Sequence, residues 1–179
     1  MTATAPGEGE TLKQYIRDIP NFPQPGVLYR DITPLLNDPT AFRTVINALV
    51  ERYRGMDLGG IAAVESRGFL FAAPMAYALG VPFIVARKAG KLPHSVHSVT
   101  YNLEYGTATL EMHTDAVTPG QRVLVVDDLL ATGGTIAATI ELVERLGGVV
   151  VGAAFVIELT FLGGRDRLPE RDVFALISY

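Results

Sequence analysis

Residues 123–135 read Val-Leu-Val-Val-Asp-Asp-Leu-Leu-Ala-Thr-Gly-Gly-Thr, and a helix-type pattern follows over residues 136–146. The four apolar, mostly β-branched residues predict a strand buried on both faces, which the carboxylates of Asp127 and Asp128 are expected to end. Two glycines allow a ligand to approach the backbone closely. The N–H groups and the dipole at the start of the following helix favour an anion. The stretch therefore predicts a strand-turn-helix unit that binds phosphate.

Composition limits the classes of protein to consider. The 179 residues, 49% of them hydrophobic and 19% charged, predict one packed domain over residues 11–179. Residues 1–10 lack the features of a signal peptide and are expected to form a disordered tail. The longest apolar runs are shorter than the roughly 20 residues that span a bilayer. The absence of cysteine excludes disulfides and thiolate chemistry and fits the cytoplasm. A net charge of -4 gives no broad basic surface, so we expect small-molecule partners and neither nucleic acid nor membrane.

Two patterns describe the N-terminal part of the chain. Apolar residues at positions 12, 15, 16 and 19 follow helical spacing and predict a helix over residues 11–19. Residues 20–34 contain four prolines and a Pro-Gly pair, which predict an ordered loop. From composition alone, this loop is as consistent with a segment that covers the core edge as with a binding segment.

The rest of the chain alternates strand and helix patterns. Helices are expected over residues 39–55, 69–79 and 136–146, and strands over residues 61–64, 82–86, 107–113, 123–126, 149–158 and 172–178. Residues 94–106 are polar and aromatic without a helical period, which is typical of a functional loop. The alternation predicts an α/β fold with a mostly parallel central sheet flanked by helices and an antiparallel flap inserted into it.

Polar residues follow three of the predicted strands, at residues 65–68, 87–91 and 127–135. Because ligands bind at the carboxyl ends of parallel strands, we expect these three segments on one rim. Arg67 can form a bidentate contact to phosphate, although from this residue alone a surface salt bridge is the favoured interpretation. The cations Arg87, Lys88 and Lys91 form either an anion site or a solvated turn.

The adjacent carboxylates of Asp127 and Asp128 distinguish this turn from a site for phosphate alone. Carboxylates repel phosphate, so their partners should be hydroxyl groups, a metal ion or a developing positive charge. A sugar phosphate that loses a leaving group from C1 offers all three, because an oxocarbenium-like cation forms and nearby carboxylates stabilise it. The cations of the rim, with magnesium, would then neutralise an anionic leaving group.

Residues 123–135 resemble the phosphoribosyl-pyrophosphate motif of type I phosphoribosyltransferases. Further blocks narrow the resemblance to the members of that family that use adenine. These blocks are Pro-Gly-Val-Leu-Tyr-Arg-Asp-Ile-Thr-Pro-Leu-Leu (25–36), Glu-Ser-Arg-Gly-Phe (65–69), Arg-Lys-Ala-Gly-Lys-Leu-Pro (87–93), Leu-Glu-Tyr-Gly (103–106) and Phe-Val-Ile-Glu-Leu (155–159). The resemblance implies transfer of the 5-phosphoribosyl group from phosphoribosyl pyrophosphate to adenine N9, giving AMP and pyrophosphate in purine salvage.

The resemblance also implies roles for the rim residues. Asp127 and Asp128 would contact the ribose hydroxyls and steady the cationic transition state. Arg67, in a loop that often carries a non-proline cis peptide in this family, would hold pyrophosphate together with Arg87, Lys88 and Lys91. The 5'-phosphate would be cradled by Ala131, Thr132, Gly133, Gly134 and Thr135. Magnesium would be held mainly by the substrate, with no direct protein ligand, and the family implies a homodimer.

Adenine recognition and proton transfer are assigned by the resemblance to other segments. A small hood over residues 11–36 would carry Tyr29, whose ring stacks on adenine, with Leu28 and Arg30 at the purine edge. A flexible flap over residues 88–106 would carry Glu104, the general acid/base at adenine N7, and Tyr105, which helps to close the site. The three histidines, His94, His97 and His113, have no metal-ligand spacing and are interpreted as flap or surface residues.

Two alternatives remain at the level of sequence. An enzyme for xanthine, hypoxanthine or guanine would share the phosphate rim and differ at the purine edge. A regulator that senses phosphoribosyl pyrophosphate or a nucleotide would need a DNA-binding domain or a basic surface, and the sequence shows neither.

Overall fold

The structure, a computed structural model, describes residues 8–102 and 106–179. The chain forms two compact units, Met1–Tyr53 and Arg54–Tyr179. The segment expected to form a hood, residues 11–36, lies in the first unit, and all three segments of the expected rim lie in the second.

The first unit combines short helices with a two-stranded antiparallel sheet. Its elements are α1 (Glu8–Leu12), a 3-10 turn (Lys13–Tyr15), β1 (Arg17–Pro20), β2 (Leu28–Asp31), α2 (Thr33–Asn37) and α3 (Pro39–Tyr53). Asp38 begins α3 as the sequence predicts, because its Oδ1 accepts hydrogen bonds from the N–H groups of Thr40 (2.9 Å) and Ala41 (2.8 Å). This carboxylate satisfies N–H groups that have no partner within the helix.

Three predictions for the first unit were wrong. The helix expected over residues 11–19 ends as a 3-10 turn at Tyr15, and Arg17–Pro20 is a strand. Residues 28–31, expected within a loop, form the partner strand. Pairing across the hairpin satisfies the backbone hydrogen-bonding groups of both strands, and the spacing of apolar residues in the sequence gives no sign of this pairing. Residues 8–10, expected in a disordered tail, belong to α1. The remainder of that tail lies outside the described residues.

The described part of the second unit contains a seven-stranded sheet with the order β5-β6-β4-β3-β7-β8-β9. Five neighbouring strands, from β4 to β9 in that order, are parallel, and the hairpin β5-β6 adds an antiparallel edge. The strands are β3 (Gly60–Val64), β4 (Phe83–Lys88), β5 (Val96–Asn102), β6 (Thr107–His113), β7 (Arg122–Leu130), β8 (Val149–Glu158) and β9 (Val173–Ser178). The mostly parallel sheet and the antiparallel insertion are thus confirmed.

Helices α4 (Arg67–Leu79) and α5 (Gly134–Arg145) pack against the sheet. Gly68 of α4 lies against Ala63 of β3, whereas the core that includes α5 contains Ala62. Because successive residues of a strand point to opposite faces, the two helices cover opposite faces of the sheet. Every residue of β3 is buried, as the sequence predicts for a central parallel strand.

Strand β7 extends further than the sequence predicts. Asp127 and Asp128 do not end it, since pairing with β8 continues through Leu129 and Leu130. Aspartate has a low strand propensity, but the long partner strand β8 supplies backbone hydrogen bonds that override it. Two 3-10 helices, Thr160–Leu162 and Gly164–Arg167, were not predicted.

None of the helices within residues 8–102 and 106–179 combines the length and the apolar character needed to cross a bilayer.

Candidate functional site

A cavity of about 620 Å³ opens where the neighbouring strands β4, β3 and β7 end. The strand register sets this arrangement, because Val64 pairs with Ala86 and Ala63 pairs with Val126, so that the following polar residues emerge at similar heights. The cavity is lined by Val64, Glu65, Ser66, Arg67, Lys88, Lys91, Tyr101, Ala108, Leu110, Asp127, Asp128 and Thr135. The three segments that the sequence placed on one rim therefore meet around one cavity.

The acidic pair forms one wall of this cavity. Asp128 is 4% exposed, and its Oδ2 lies 2.8 Å from Nε of Arg67. Its backbone N–H donates to Oδ1 of Asp127 (2.9 Å). Burial raises the pKa of both carboxyl groups; the charge of Asp128 raises the pKa of Asp127 further, while Arg67 opposes the shift at Asp128. The pair is therefore an acidic site in which negative charge is costly until a cation or a hydroxyl donor arrives.

Gly68 allows the Asp127 carboxylate to lie against the start of α4. A Cβ atom at this position would lie 2.9 Å from Oδ1 of Asp127 and 3.2 Å from the Val126 carbonyl oxygen. The loop before α4 contains a cis peptide between Glu65 and Ser66, which confirms the expectation from the family resemblance. This loop brings Arg67 and the acidic pair together.

Glu65 joins the first rim segment, residues 65–68, to the second, residues 87–91. Its Oε2 accepts hydrogen bonds from Nε (3.1 Å) and Nη2 (2.9 Å) of Arg87, and its Oε1 accepts one from the N–H of Lys88 (2.8 Å). Nη1 of Arg87 donates to the Lys91 carbonyl oxygen (3.0 Å). Arg87 thus holds the loop that carries Lys88 and Lys91 against the loop that carries Arg67.

The surroundings of Glu65 act on its pKa in opposite directions. Desolvation raises the pKa, but the hydrogen bonds from Lys88 and Arg87 and the charges of Arg87 and Lys91 outweigh it, so the pKa is lowered from its ordinary value. Glu65 is therefore ionised near neutral pH and neutralises one cation of an otherwise basic loop.

The predicted phosphate turn, residues 131–135, leads directly into α5. Gly133 adopts a left-handed conformation with φ of 80°, which glycine accommodates without a side-chain clash. The turn is supported from outside by the 3-10 helix Gly164–Arg167. A Cβ atom at Gly133 would lie 2.5 Å from the Gly164 carbonyl oxygen, and one at Gly164 would collide with the Ala131 carbonyl oxygen. The shape of the turn therefore depends on a close backbone contact with a segment about 30 residues further along.

Thr135 is the residue of this turn that lines the cavity. Its Oγ1 lies 3.2 Å from the hydroxyl oxygen of Tyr101 in β5. Its backbone carbonyl oxygen accepts a hydrogen bond from the Thr139 hydroxyl (2.8 Å). The first turn of α5 is therefore held both from within the helix and from the hairpin.

The residues assigned to adenine lie in the first unit. Tyr29 of β2 packs edge-on against Phe22, with ring centroids 5.2 Å apart and an interplanar angle of 78°. Arg30 forms an ion pair with Asp18 of the neighbouring strand. Leu28 is 44% exposed. The interpretation of Phe22 and Tyr29 as a covering segment and the interpretation as a binding segment both fit these contacts.

Other predicted residues do not add to the described cavity. Glu104 and Tyr105 lie outside the described residues. His94 and His113 form an edge-on ring pair with centroids 6.0 Å apart, and no histidine lines the cavity.

Sequence reasoning missed three residues at the site: Glu65, Tyr101 and Gly164. Glu65 lies in the Glu-Ser-Arg-Gly-Phe block, and the sequence assigns it no role, although a carboxylate on the same rim as three cations indicates an internal salt bridge. Tyr101 and Gly164 have no local signal, because each reaches the site through contacts between segments distant in sequence.

Comparison with known proteins agrees with this geometry. The phosphoribosyl transferase domain family matches residues 35–175. An adenine phosphoribosyltransferase of Thermobifida fusca is 55% identical over 167 residues, which cover 93% of this chain and 95% of the relative. The chain belongs to the adenine phosphoribosyltransferase family. The enzyme transfers a phosphoribosyl group from phosphoribosyl pyrophosphate to adenine in purine salvage.

Solved structures show the same fold. The crystal structure of the adenine phosphoribosyltransferase from Thermoanaerobacter pseudethanolicus matches with a TM-score of 0.92 and 54% identity, covering 95% of this chain and 99% of that one. The enzyme of Saccharomyces cerevisiae, complexed with D-2,5-dideoxy-2,5-imino-altritol 1,6-bisphosphate and adenine, matches with a TM-score of 0.89 and 41% identity over 95% of this chain and 98% of that one. The type I phosphoribosyltransferase fold expected from the sequence is confirmed. The comparisons also favour the interpretation of the chain as an enzyme over the alternative of a regulator that senses phosphoribosyl pyrophosphate.

Proposed function

We propose that the enzyme binds phosphoribosyl pyrophosphate in the 620 Å³ cavity and transfers its phosphoribosyl group there to N9 of adenine. The observation that carries this proposal is the composition of the lining. An acidic pair, three cations (Arg67, Lys88 and Lys91) and Thr135 surround a single space. A ligand with a sugar between two anionic groups matches such a lining, whereas a simple phosphate does not account for the carboxylates.

The 5'-phosphate binds at the turn of residues 131–135. This assignment covers Ala131, Thr132, Gly133, Gly134 and Thr135. The N–H groups of the turn and the start of α5 donate to the phosphate oxygens, and the helix dipole favours the negative charge. The Thr135 hydroxyl, which lines the cavity, adds a donor.

Pyrophosphate binds among the cations of the other two rim segments. Lys88 and Lys91 line the cavity and provide point charges for the departing group. Arg67, which forms an ion pair with Asp128 and lines the cavity, contributes the positive charge of its guanidinium group. Arg87 acts in this subsite by holding its two loops together through Glu65 and the Lys91 carbonyl oxygen.

The acidic pair stabilises the reacting sugar. As the C1–O bond to pyrophosphate breaks, the electron pair leaves with pyrophosphate and positive charge develops on the ribose. Asp127 and Asp128 contact the ribose hydroxyls and offset this charge. Burial makes the negative charge of both carboxylates costly in the free enzyme, and the charge of Asp128 adds to that cost at Asp127. A cationic transition state therefore relieves the cost more than the neutral sugar does.

Adenine binds beside Tyr29, with Leu28 and Arg30 at its edge, in the hood assigned to residues 11–36. N9 forms the new bond to C1, and Glu104 accepts the proton that leaves adenine at N7, so the product carries no extra charge on its base. Tyr105 helps to close the site. The complex of the yeast relative with adenine supports adenine as the base that is bound.

Magnesium enters as part of the substrate, the magnesium salt of phosphoribosyl pyrophosphate. Among residues 8–102 and 106–179, no group of three or more His, Asp or Glu side chains could hold a metal ion. The donors that fit are instead oxygens of pyrophosphate and ribose, with the acidic pair nearby. The ion supplies charge neutralisation to the leaving pyrophosphate.

The enzyme works as a cytoplasmic homodimer in this proposal. Support comes from α4, where Leu70, Ala73 and Tyr77 form an exposed stripe at helical spacing. Leu70 is 41% exposed and Tyr77 is 91% exposed, which is unusual for large apolar side chains in a monomer. Sedimentation of the wild type and of Tyr77→Glu tests it: the variant should dissociate, and a monomeric wild type would contradict it.

Kinetics of variants test the proposed roles. Purified enzyme is incubated with adenine and magnesium phosphoribosyl pyrophosphate, and AMP and pyrophosphate are measured. We expect Glu104→Gln and Asp127→Asn each to lower kcat by about 100-fold or more with smaller changes in KM. Glu170→Gln, at an exposed position, is the matched control and should leave both constants unchanged. If Asp127→Asn turns over at the wild-type rate, the carboxylate does not stabilise the transition state.

A further inference from the structure

The side chain of Tyr101 in the hairpin strand β5 reaches the phosphate turn. Its hydroxyl oxygen lies 3.2 Å from Oγ1 of Thr135, and both residues line the cavity. The Tyr101 ring also packs on the turn, because a Cβ atom at Gly134 would lie 3.4 Å from the ring carbon Cδ2. Tyr101 therefore contacts the turn both through a hydrogen bond and through its ring.

Phosphate binding determines the direction of this hydrogen bond. In the free enzyme either hydroxyl can donate to the other. A phosphate monoester dianion can only accept hydrogen bonds, so the Thr135 hydroxyl must donate its proton to a bound phosphate. Oγ1 of Thr135 then has only lone pairs left for its neighbour, and the Tyr101 hydroxyl becomes the donor. Two hydrogen bonds in series polarise one another and strengthen the contact to phosphate.

Thr135 has few other means of orienting this hydroxyl. Its backbone is fixed, since Thr139, which is fully buried, donates to its carbonyl oxygen (2.8 Å). Its Oγ1 atom contacts the Tyr101 hydroxyl. A tyrosine hydroxyl aimed at that atom selects the rotamer that presents the proton to the cavity.

We propose that Tyr101 is a positioning residue for the 5'-phosphate, acting through the Thr135 hydroxyl. The inference rests on the proposed assignment of residues 131–135 to the 5'-phosphate. It adds a residue outside the phosphate motif, supplied by a different element of the sheet, to recognition of the phosphate monoester.

A double-mutant cycle on ligand affinity tests the proposal. Dissociation constants for ribose 5-phosphate and for pyrophosphate are measured with the wild type, Tyr101→Phe, Thr135→Val and the double variant. We expect Tyr101→Phe to weaken ribose 5-phosphate by about 3- to 10-fold, the usual effect of one uncharged hydrogen bond. Thr135→Val should weaken it at least as much, and the double variant should be no weaker than Thr135→Val alone. Pyrophosphate affinity should not change.

The controls separate positioning from general damage. Thr114→Val removes a hydroxyl at an exposed position outside the cavity lining and should bind both ligands like the wild type. Thr135→Ser keeps the hydroxyl and should retain the effect of Tyr101→Phe. In steady state, Tyr101→Phe should raise the KM for phosphoribosyl pyrophosphate more than it lowers kcat.

Three outcomes would overturn the inference. If Tyr101→Phe binds ribose 5-phosphate like the wild type, or adds its full effect to that of Thr135→Val, Tyr101 does not act through Thr135. If it weakens pyrophosphate equally, its role is structural. If Thr135→Val itself has no effect on ribose 5-phosphate, the assignment of the phosphate turn fails first, which distinguishes that failure from a failure of the Tyr101 proposal.

Discussion

Nε of Arg67 lies 2.8 Å from Oδ2 of Asp128, and the two side chains are 42% and 5% exposed. The buried carboxylate and the more exposed guanidinium come from two neighbouring parallel strand-loop units. The sequence offered a surface salt bridge and a phosphate contact as alternative roles for Arg67. The structure shows an ion pair at the wall of the cavity, so Arg67 is paired with a buried carboxylate and also borders the space that a ligand would occupy.

Substitution of Arg67 should affect both of its partners. We expect Arg67→Ala to lower kcat/KM by about 100-fold or more, because it removes a donor to the leaving pyrophosphate and leaves the buried Asp128 unpaired. Arg67→Lys should lose less, since it keeps the charge. Steady-state kinetics measure both. Arg43→Ala, on the exposed face of α3, is the control, and equal loss in that variant would show a nonspecific effect of charge.

The pH dependence of turnover should depend on Asp127. Burial and the neighbouring Asp128 raise the pKa of Asp127 above its ordinary value of 3.8, and we propose that catalysis needs the ionised form. Turnover should therefore fall on acidification at a higher pH than an ordinary aspartate would cause. In Asp127→Asn the remaining activity should lose that acid limb. Asp115→Asn, at an exposed position, is the control and should keep the acid limb of the wild type. Identical pH profiles for the wild type, Asp127→Asn and Asp115→Asn would contradict the prediction.

The raised pKa of Asp127 also predicts that removing its charge stabilises the folded protein. A raised pKa means that the folded protein binds the proton more tightly than the unfolded chain, so the ionised carboxylate destabilises the fold above that pKa. We expect Asp127→Asn to be at least as stable as the wild type at pH 7. The difference should vanish below pH 3.8, where both states of the wild type are protonated. Urea unfolding at several pH values measures this, and a less stable variant at pH 7 would contradict it.

Glu65 should show the opposite dependence. Its lowered pKa stabilises the fold above the unfolded value of 4.5, and that contribution is lost as pH falls through the folded value. We expect Glu65→Gln to lose roughly 1.5–3 kcal/mol at pH 7, the range for hydrogen bonds to a charged group. The loss should shrink towards acid pH. The control Glu170→Gln should unfold like the wild type, and a loss that is constant with pH would exclude the charge as its cause.

Gly164 should be sensitive although it lies outside the motif. A methyl group there would collide with the Ala131 carbonyl oxygen, so Gly164→Ala must displace the turn. We expect the KM for phosphoribosyl pyrophosphate to rise about tenfold or more, since a displacement near 1 Å at a binding group is costly. Asp166→Ala, in the same 3-10 helix, is the control for local disturbance. Wild-type kinetics in Gly164→Ala would show that the turn tolerates the shift.

Local sequence was most informative where the local pattern and the global fold agree. Strand β3 and residues 123–126 of β7 are continuous apolar runs, and Asp38 marks the start of α3 by a capping carboxylate next to proline. These signals involve neighbours in sequence, and the structure confirms them. The helix expected over residues 11–19 failed because the partner of Arg17–Pro20 is a strand eight residues further along the chain, beyond the reach of helical spacing.

The sequence by itself determined the α/β fold, the order of the rim segments and the residue types that phosphoribosyl transfer needs. Only the tertiary structure decided their pairing: Arg67 with Asp128, Arg87 with Glu65, Tyr101 with Thr135 and Gly164 with the phosphate turn. The physical reason is that burial and secondary structure follow from the local pattern of apolar residues, whereas the partner of a polar group depends on strand order and register. In this sheet, β4, β3 and β7 lie side by side, and that order brings the cations of one loop to the carboxylates of another.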